Sequence, residues 1–237
     1  MSLTGLFPID KWNFKSESVL NGLPAEEFEH LCANMTEQRY EKGDVLFREG
    51  AVPSGIFFIK KGKVKKYKVD HENKEHIVYV ANTGELLGYH AILSEERYPD
   101  SAATIEESVI AFIPKEDFLE TLEISKVLSQ RLLKNLSHEF AVLTNSISVF
   151  AQRSVRERLA IMLIVLREKF KEETLEGEDI TINISRSDLA NMVGTAKENV
   201  VRFLKEFKLS GILHTHGRKI FVEDVKKLIE ISNYGSK

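Results

Sequence analysis

The sequence predicts an α+β chain made of a β-rich first half, one long amphipathic helix, and a C-terminal helix pair followed by a hairpin. Three observations carry this prediction. Short apolar runs rich in Val, Ile, Phe and Tyr are cut by glycines between residues 39 and 114. After Pro114 the apolar period becomes helical, and residues 133–150 follow a heptad spacing. Finally, two helical patterns meet at Gly194 and precede a short hairpin pattern.

The composition is that of a globular protein and excludes several classes. The chain has 237 residues, of which 43% are hydrophobic and 29% charged, enough for one large or two small domains. It contains no apolar run of about 18 residues, so we expect no membrane-spanning helix. The N-terminus lacks the basic start and apolar core of a secretory signal. The only cysteine, Cys32, cannot form an internal disulfide or hold an iron–sulfur cluster, so we expect a cytoplasmic protein.

Charge is distributed unevenly along the chain. The net charge of −3 argues against a uniformly basic nucleic-acid binder. Residues 180–237, however, hold ten Lys/Arg against six Asp/Glu and are therefore +4, which leaves −7 for the remainder. A negatively charged partner would thus meet the C-terminal end.

The first half of the chain predicts a β-sandwich or small barrel. Residues 16–35 favour short helical pieces around the break at Gly22–Pro24. Strand patterns follow in "DVLFREG", "IFFIKKGKVKKYKV", "EHIVYVANTGELLG" and "SVIAFIP". Short strands with turn residues at close spacing are typical of sandwiches and barrels.

A long helix beginning near Ser125 carries a possible dimer seam. Its apolar residues are spaced 3, 4, 3, 4, 3, which is the spacing of a heptad seam. Leu132 and Val142 lie off this seam and can pack on the β-domain instead. The alternative is a helix that packs only on its own β-domain. The predicted dimer interface consists of Leu133, Leu136, Phe140, Leu143, Ile147 and Phe150.

The C-terminal part predicts a helix-turn-helix followed by a wing. "RSVRERLAIMLIVLREKF" is amphipathic, and the acidic residues 171–179 indicate an exposed connector. Ser185, three residues before Asp188, is a helix-capping pattern, and Gly194 suits a left-handed C-cap. Thr195 and Glu198 repeat the capping spacing and predict the start of the next helix. "GILHTHGRKIFV" then predicts a hairpin with Gly217 and Arg218 at its tip.

The second helix of the pair has the pattern of a recognition helix. Val200, Phe203, Leu204 and Phe207 form one apolar stripe at i, i+3, i+4, i+7. Glu198, Arg202 and Lys205 point to the opposite side, with Lys197 beside them. Arg binds guanine O6/N7 in bidentate fashion, and Glu accepts from cytosine N4. The competing interpretation is a solvated Glu198–Arg202 pair of about 0.2–0.5 kcal/mol.

The whole chain resembles the Crp/Fnr (catabolite activator protein) family of bacterial transcription regulators. Two independent stretches carry the resemblance: "ISRSDLANMVGTAKENVVRFLK" and the roll pattern "EKGDVLFREG…IFFIKKGKVK…GELLG…SAAT". It implies a cyclic-nucleotide-binding-like β-roll (a double-stranded jelly roll), a dimerisation helix and a winged helix-turn-helix. The corresponding parts would be residues 1–122 for effector sensing, 123–152 for the long helix and 153–237 for the winged helix.

The resemblance also implies which residues contact DNA. Lys197, Glu198 and Arg202 match the family's base-reading positions. The full predicted set comprises Arg186, Ser187, Thr195, Lys197, Glu198, Asn199, Arg202, Lys205, Arg218 and Lys219. Double-stranded DNA with an inverted-repeat site, a second copy of the chain and RNA polymerase are the partners it implies, with no membrane.

The effector site matches the family only in part. Cyclic-nucleotide-binding members carry an arginine before a Ser/Thr-Ala pair, and that arginine binds the cyclic phosphate. Here the position is Asp100, and a carboxylate there would repel a phosphate. We therefore expect no cyclic AMP binding, unless Arg97 takes over in a re-registered loop. The predicted effector-site positions are Gly84, Glu85, Leu86, Gly88, Arg97, Asp100, Ser101, Ala102 and Thr144.

The sequence says less about cofactors and competing functions than about the fold. The effector stays unidentified, and no cofactor is certain. His71, His76 and His90 are expected at the surface, and His214 with His216 lack a nearby third metal ligand, so no metal site is predicted. An enzyme is not expected, because residues 39–114 contain no HxH pair for a catalytic metal. A ligand-binding module whose winged helix contacts proteins remains the other class.

Overall fold

The computed structural model describes residues 3, 5–13, 17–171 and 179–234, except the side chains of residues 17 and 18. The chain forms two compact units. The roll unit comprises residues 14–141, and the winged-helix unit comprises residues 1–13 and 142–237. The predicted three-part division remains a prediction, but residues 1–13 group with the C-terminal unit. Most of the predicted acidic connector, residues 172–178, lies outside the described residues.

The roll unit contains two four-stranded antiparallel sheets. One sheet has the order β1-β8-β3-β6 and the other β2-β7-β4-β5. The strands are β1 (Thr36–Tyr40), β2 (Val45–Phe47), β3 (Gly55–Lys61), β4 (Val64–Val69), β5 (Glu75–Ala81), β6 (Leu86–Leu87), β7 (Ser101–Thr104) and β8 (Ser108–Pro114). In register, Phe57 faces Phe112, and Lys66 of β4 faces Ala102 of β7.

Side chains from both sheets form the core of the roll. Phe47 and Tyr79 of one sheet and Ile59 and Ile110 of the other are buried in one cluster. Phe47 stacks on Tyr98 with ring centroids 4.1 Å apart. Burial raises the pKa of Tyr98 to about 12, so its hydroxyl stays a donor, and it donates to the Gly55 carbonyl at 3.2 Å. The predicted sandwich or roll is confirmed.

Helices close the β1-β8-β3-β6 sheet on its other side. They are α1 (Glu17–Leu20), α2 (Ala25–Leu31), α3 (Tyr89–Leu93), α4 (Lys115–Ile124) and the long α5 (Lys126–Gln152). Leu31, Phe118 and Leu128 are fully buried in one cluster with Ile56 and Ile113 of the sheet. The helical pieces predicted around Gly22–Pro24 are confirmed, and so is the long helix after Ser125.

Among its described residues, the winged-helix unit contains the end of α5, four further α-helices and a small sheet. Its elements are the single turn Ile9–Lys11, α6 (Val155–Lys171), β9 (Ile182–Asn183), α7 (Arg186–Val193), α8 (Lys197–Leu209), β10 (Leu213–His216), β11 (Lys219–Val222) and α9 (Val225–Ser232). The sheet order is β10-β11-β9. The helix pair and the hairpin tip at Gly217 and Arg218 are confirmed.

The two caps predicted for α7 are present. Ser185 is its N-cap and accepts a hydrogen bond from the Asp188 N–H at 2.9 Å. Gly194 is its C-cap with φ of 67°, a left-handed conformation that favours glycine. A side chain at Gly194 would also meet the Phe150 ring at 3.1 Å.

The predicted cap of α8 is wrong. The N-cap residue is Ala196, whose methyl group cannot accept a hydrogen bond. The Thr195 hydroxyl instead accepts from the Asn199 amide at 3.0 Å. The start of the helix lies one residue later than the Thr195–Glu198 pattern indicates, because a side-chain pair competes for the threonine.

The helices within the described ranges differ in length, and the longest is α5 with 27 residues. None of them is both long enough and apolar enough to cross a membrane.

Candidate nucleic-acid interface and effector site

One face of α8 is anchored in the winged-helix core. Val200 and Phe207 are fully buried, Leu204 is 4% exposed, and Phe203 is half-buried. Burial of such side chains contributes about 1.5–3 kcal/mol each, which fixes the rotation of the helix about its axis. The predicted stripe is therefore confirmed, and the opposite face must point to solvent.

The outward face of α8 carries the predicted base-reading residues. Lys197, Glu198, Arg202 and Lys205 are all exposed. The Arg202 guanidinium lies over the Phe203 ring, 4.3 Å from its centroid. It donates to the Asn199 side-chain oxygen at 3.3 Å rather than to Glu198. The solvated Glu198–Arg202 pair is thus not the arrangement that the structure adopts.

Asn199 and Thr195 form a chain of hydrogen bonds that ends at Arg202. The Asn199 amide nitrogen donates to the Thr195 hydroxyl, and its oxygen accepts from Arg202. Both ends of this amide are therefore engaged within the helix. In this geometry Asn199 orients Arg202 rather than presenting its own edge to a base.

The wing meets α7 through Arg186. This guanidinium donates to the carbonyl oxygens of Arg218 and Gly217, both at 3.2 Å. Burial lowers its pKa, but an arginine stays charged under any physiological condition. Arg186 therefore holds the wing tip against α7. Ser187, Arg218 and Lys219 are exposed beside it.

Val201 belongs to the same outward face, although the sequence analysis did not select it. Its side chain is 49% exposed, four residues after Lys197 and next to Arg202. An apolar side chain at such a position can contact the methyl group of thymine. The signal in the sequence that could have identified Val201 is an apolar residue one position away from the buried stripe.

In the roll, Asp100 forms an internal ion pair. Its Oδ2 lies 3.1 Å from Nζ of Lys66, and the two side chains are only 13% and 11% exposed. The sequence analysis missed Lys66, because nothing local links residues 66 and 100. The pairing of β4 with β7, in which Lys66 faces Ala102, brings them together.

Glu85 is also engaged by the protein. It is 6% exposed, accepts from the Tyr79 hydroxyl at 2.8 Å and accepts from the Asn82 N–H at 2.9 Å. The Ser101 hydroxyl accepts from the Glu49 N–H at 2.9 Å, and Ala102 is fully buried. These groups turn to protein partners rather than to a ligand.

The remaining predicted effector positions fall into two groups. Gly84 and Gly88 adopt left-handed conformations, with φ of 88° and 85°, and Leu86 is buried with the core. Arg97 is exposed and donates to the Gly50 carbonyl at 2.8 Å. Thr144 is exposed on the part of α5 that belongs to the winged-helix unit.

The expectation of a surface His90 is wrong. Its Nε2 lies 2.6 Å from Oε2 of Glu139, a 2%-exposed residue of α5, and the Tyr89 hydroxyl donates to the other oxygen of that carboxylate. Burial first, and then the charge of Glu139, raise the pKa of Tyr89. His90 is drawn inward because the buried carboxylate needs polar partners.

The heptad seam of α5 faces solvent along most of its length. Leu133, Phe140 and Ile147 are 68%, 73% and 70% exposed, and Leu143 is 43% exposed. The other two seam residues, Leu136 and Phe150, are half-buried. Of the two residues off the seam, both 2% exposed, Leu132 packs in the roll core as predicted, whereas Val142 belongs to the winged-helix unit.

A β-roll, a long helix and a winged helix with an exposed recognition face together define a DNA-binding transcription regulator with a sensor-like domain. A model of the cyclic nucleotide-binding domain matches residues 37–125, and a model of the Crp-like helix-turn-helix domain matches residues 157–231. The chain belongs to the Crp/Fnr family, whose members are transcription regulators and not enzymes.

Individual relatives agree with this assignment. The chain is 26% identical to the fumarate and nitrate reduction regulatory protein of Escherichia coli K12 over 194 residues, which cover 82% of this chain and 77% of that protein. It is 26% identical to the anaerobic regulatory protein of Pasteurella multocida over 192 residues, or 81% of this chain and 70% of that protein.

Solved structures share the fold. FixK2 from Bradyrhizobium japonicum matches with a TM-score of 0.73 at 19% identity, covering 83% of this chain and 96% of that one. A CooA mutant from Carboxydothermus hydrogenoformans matches with a TM-score of 0.71 at 23% identity, covering 93% and 98%.

Proposed function

We propose that the chain is a homodimeric transcription regulator that reads an inverted-repeat DNA site with the outward face of α8. The observation that carries this proposal is the division of α8 into a buried stripe and an exposed face bearing Lys197, Glu198 and Arg202. A helix anchored in this way can lie in the major groove with its N-terminal half at the base edges.

The residues on this face divide into base-reading and phosphate-binding groups. Arg202 has the geometry for guanine, Glu198 for cytosine and Val201 for a thymine methyl group. Lys205, Arg218 and Lys219 supply positive charge for the phosphate backbone, whereas Lys197 belongs with the base-reading residues. Arg186 would act indirectly, by holding the wing tip at the hairpin turn.

The exposed seam of α5 supports the homodimer. Four large apolar side chains at heptad spacing lie at 43–73% exposure, an arrangement that a helix of a monomer rarely leaves open to water. Pairing two such helices would bury them as a coiled-coil seam. The twofold axis would then set two copies of α8 about 34 Å apart, one turn of the duplex.

Cyclic AMP is not the effector under this proposal. The carboxylate of Asp100 stands where the family's arginine binds the cyclic phosphate, and Lys66 already neutralises it. Glu85 is 6% exposed and accepts hydrogen bonds from Tyr79 and Asn82, so a ribose hydroxyl would have to compete with these protein donors. Arg97, the residue that could have replaced the arginine, donates to a backbone carbonyl at the surface. The regulator therefore responds to another small molecule or to none.

The family supplies the remaining context for the proposal. A regulator of this kind acts in the cytoplasm, where the DNA is, and contacts RNA polymerase at the promoter. These partners follow from the resemblance to Crp/Fnr regulators and not from a surface of this chain.

Replacing Arg202 tests the proposal. A duplex enriched from a random library by the wild-type protein is titrated with the wild-type, Arg202→Ala and Lys226→Ala proteins. We expect Arg202→Ala to lose about 1–3 kcal/mol of binding and to relax discrimination at one base position. Lys226 is an exposed cation on α9, so Lys226→Ala controls for the lost charge. Equal losses in both variants would exclude base reading by α8.

A further inference from the structure

The N-terminal segment, residues 3 and 5–13, is an integral part of the winged-helix unit. Leu3, Phe7 and Trp12 are 3%, 2% and 4% exposed, so this segment contributes to the core. Its residues group by contacts with residues 142–237 rather than with the roll that follows them in the chain. Ordering a short terminal segment costs conformational entropy, so such a segment is ordered only where the burial of its side chains compensates for that cost.

The segment is fixed to two elements on opposite sides of the α5–α6 junction. The ring of Tyr234, just after α9, lies 5.7 Å from the Phe7 ring and 5.6 Å from the Trp12 ring, the latter edge-on. The Tyr234 hydroxyl donates to the side-chain oxygen of Asn145 on α5. The Asn145 amide nitrogen donates to the carbonyl of Lys11 at 3.1 Å. We name Phe7, Trp12, Asn145 and Tyr234 the terminal clasp.

A second set of contacts holds the junction itself. Arg158 of α6 donates to the carbonyls of Arg153 at 2.9 Å and Val193 at 2.9 Å, and it lies 5.2 Å from the Phe150 ring centroid. It thus joins the end of α5 to the end of α7. Burial lowers its pKa without discharging it.

The first turn of α6 is also tied to the end of α9. Ser154 and Glu157 cap α6 reciprocally, and Glu157 accepts from Asn233 at 3.2 Å, next to Tyr234. The junction is therefore held by Arg158 and Glu157 of α6, and Glu157 in turn binds Asn233, which follows α9 and precedes the clasp residue Tyr234.

We propose that the terminal clasp positions the DNA-binding helices on the long helix and holds them in the orientation that binds DNA. The inference rests on the proposed function. The sensor groups of the roll are already bonded to one another, as Asp100 is to Lys66. Selection of this orientation therefore needs contacts within the protein itself. The clasp residues are positioning residues, since none of them lies on the outward face of α8.

The test compares variants of the clasp in the full chain. The variants are Trp12→Ala, Tyr234→Ala, Tyr234→Phe and Asn145→Ala, with Phe28→Ala as control because Phe28 is a 43%-exposed aromatic residue of the roll unit. Two quantities are measured: affinity for the enriched duplex, and hydrogen exchange of the amides of residues 153–158. Thermal unfolding of each variant is followed in parallel.

We expect Trp12→Ala and Tyr234→Ala to bind DNA about tenfold more weakly or worse, because a smaller fraction of molecules holds the competent orientation. Exchange at residues 153–158 should accelerate in the same variants. Tyr234→Phe keeps the ring contacts and should lose less, and Phe28→Ala should match the wild type. If Tyr234→Ala does not fold, Asn145→Ala carries the test, because it removes two hydrogen bonds from a half-buried side chain.

Either of two results in Tyr234→Ala would overturn the clasp: wild-type affinity for DNA, or unchanged exchange at residues 153–158. An equal loss in Phe28→Ala would overturn it as well. A wild-type protein that enriches no duplex would instead contradict the proposed function. In that case the exchange measurement still decides whether the clasp holds the junction.

Discussion

At the residue scale, the recognition face depends on how Arg202 is held. A long exposed side chain loses conformational entropy when it binds a base. This loss is smaller if its head group is already oriented in the free protein. The ring of Phe203 and the oxygen of Asn199 supply that orientation, and Thr195 fixes the amide. Asn199 should therefore affect DNA binding only through Arg202.

A double-mutant cycle tests this dependence. We expect Asn199→Ala to weaken binding to the enriched duplex by about 0.5–1.5 kcal/mol in the wild-type background. In the Arg202→Ala background the same substitution should have almost no effect, since the group it orients is gone. Fluorescence anisotropy of the four proteins at one salt concentration measures the coupling. Additive losses would mean that Asn199 contacts DNA independently.

The Lys66–Asp100 pair makes a separate prediction about the roll. Removing only Lys66 leaves a carboxylate in a site that is 13% exposed, so Lys66→Met should destabilise the fold by about 3–5 kcal/mol. Lys66→Met combined with Asp100→Leu should restore most of this loss, because no buried charge remains. Urea unfolding followed by circular dichroism measures both. A Lys66→Met variant as stable as the wild type would show that the pair does not bear on stability.

Calorimetry with cyclic AMP addresses the ligand directly. The wild-type protein should release no binding heat at millimolar nucleotide, because a phosphate that recruited Lys66 would leave the nearly buried carboxylate of Asp100 unpaired. A saturable heat with one site per chain would contradict the assignment of Asp100.

At the scale of elements, the parts that follow a strong local period were predictable from the sequence. The stripe of α8 and the heptads of α5 are examples, because packing on one face dictates their spacing. The strands β1 and β7, "TEQRY" and "SAAT", carry no apolar run; β1 was not predicted, and β7 was indicated only by the family resemblance. They are strands because β8 and β4 supply partners for their backbones.

Long-range pairs and exact helix starts were beyond the sequence. Lys66 meets Asp100, and Tyr89 with His90 meets Glu139, only once strands and helices are assembled. The α8 cap was misplaced by one residue, since the Thr195 hydroxyl binds the Asn199 side chain instead of capping the helix, and sequence spacing cannot distinguish these two roles. The placement of residues 3–13 in the winged-helix unit had no local signal either.

The seam of α5 makes the prediction at this scale. Phe140→Asp should weaken self-association by about 100-fold or more, because it places a charge in an apolar interface. Ala141→Asp is the matched control: the residue is exposed on the same helix but off the seam, and its replacement loses at least as much helix propensity as Phe140→Asp does. Sedimentation equilibrium measures both. A dimer that survives Phe140→Asp would locate the interface elsewhere.

At the scale of the whole molecule, the candidate effector groups of the roll are bonded to other protein groups, whereas the outward face of α8 is exposed. The positive charge of residues 180–237, within a chain of net charge −3, directs DNA to that face and disfavours it elsewhere. Control by a ligand would have to act on groups that the protein has already paired. The clasp and the Arg158 contacts then decide how firmly the reading helix is presented.

The most direct test of the central claim is selection of DNA from a random duplex library by the purified protein, with affinities measured between 50 and 200 mM salt. The account predicts an inverted repeat whose half-sites lie about 34 Å apart, bound with an affinity that falls steeply as salt rises. It also predicts that the enriched guanine positions vanish when selection is repeated with Arg202→Ala. A library that stays random, or an affinity that salt does not change, would contradict it.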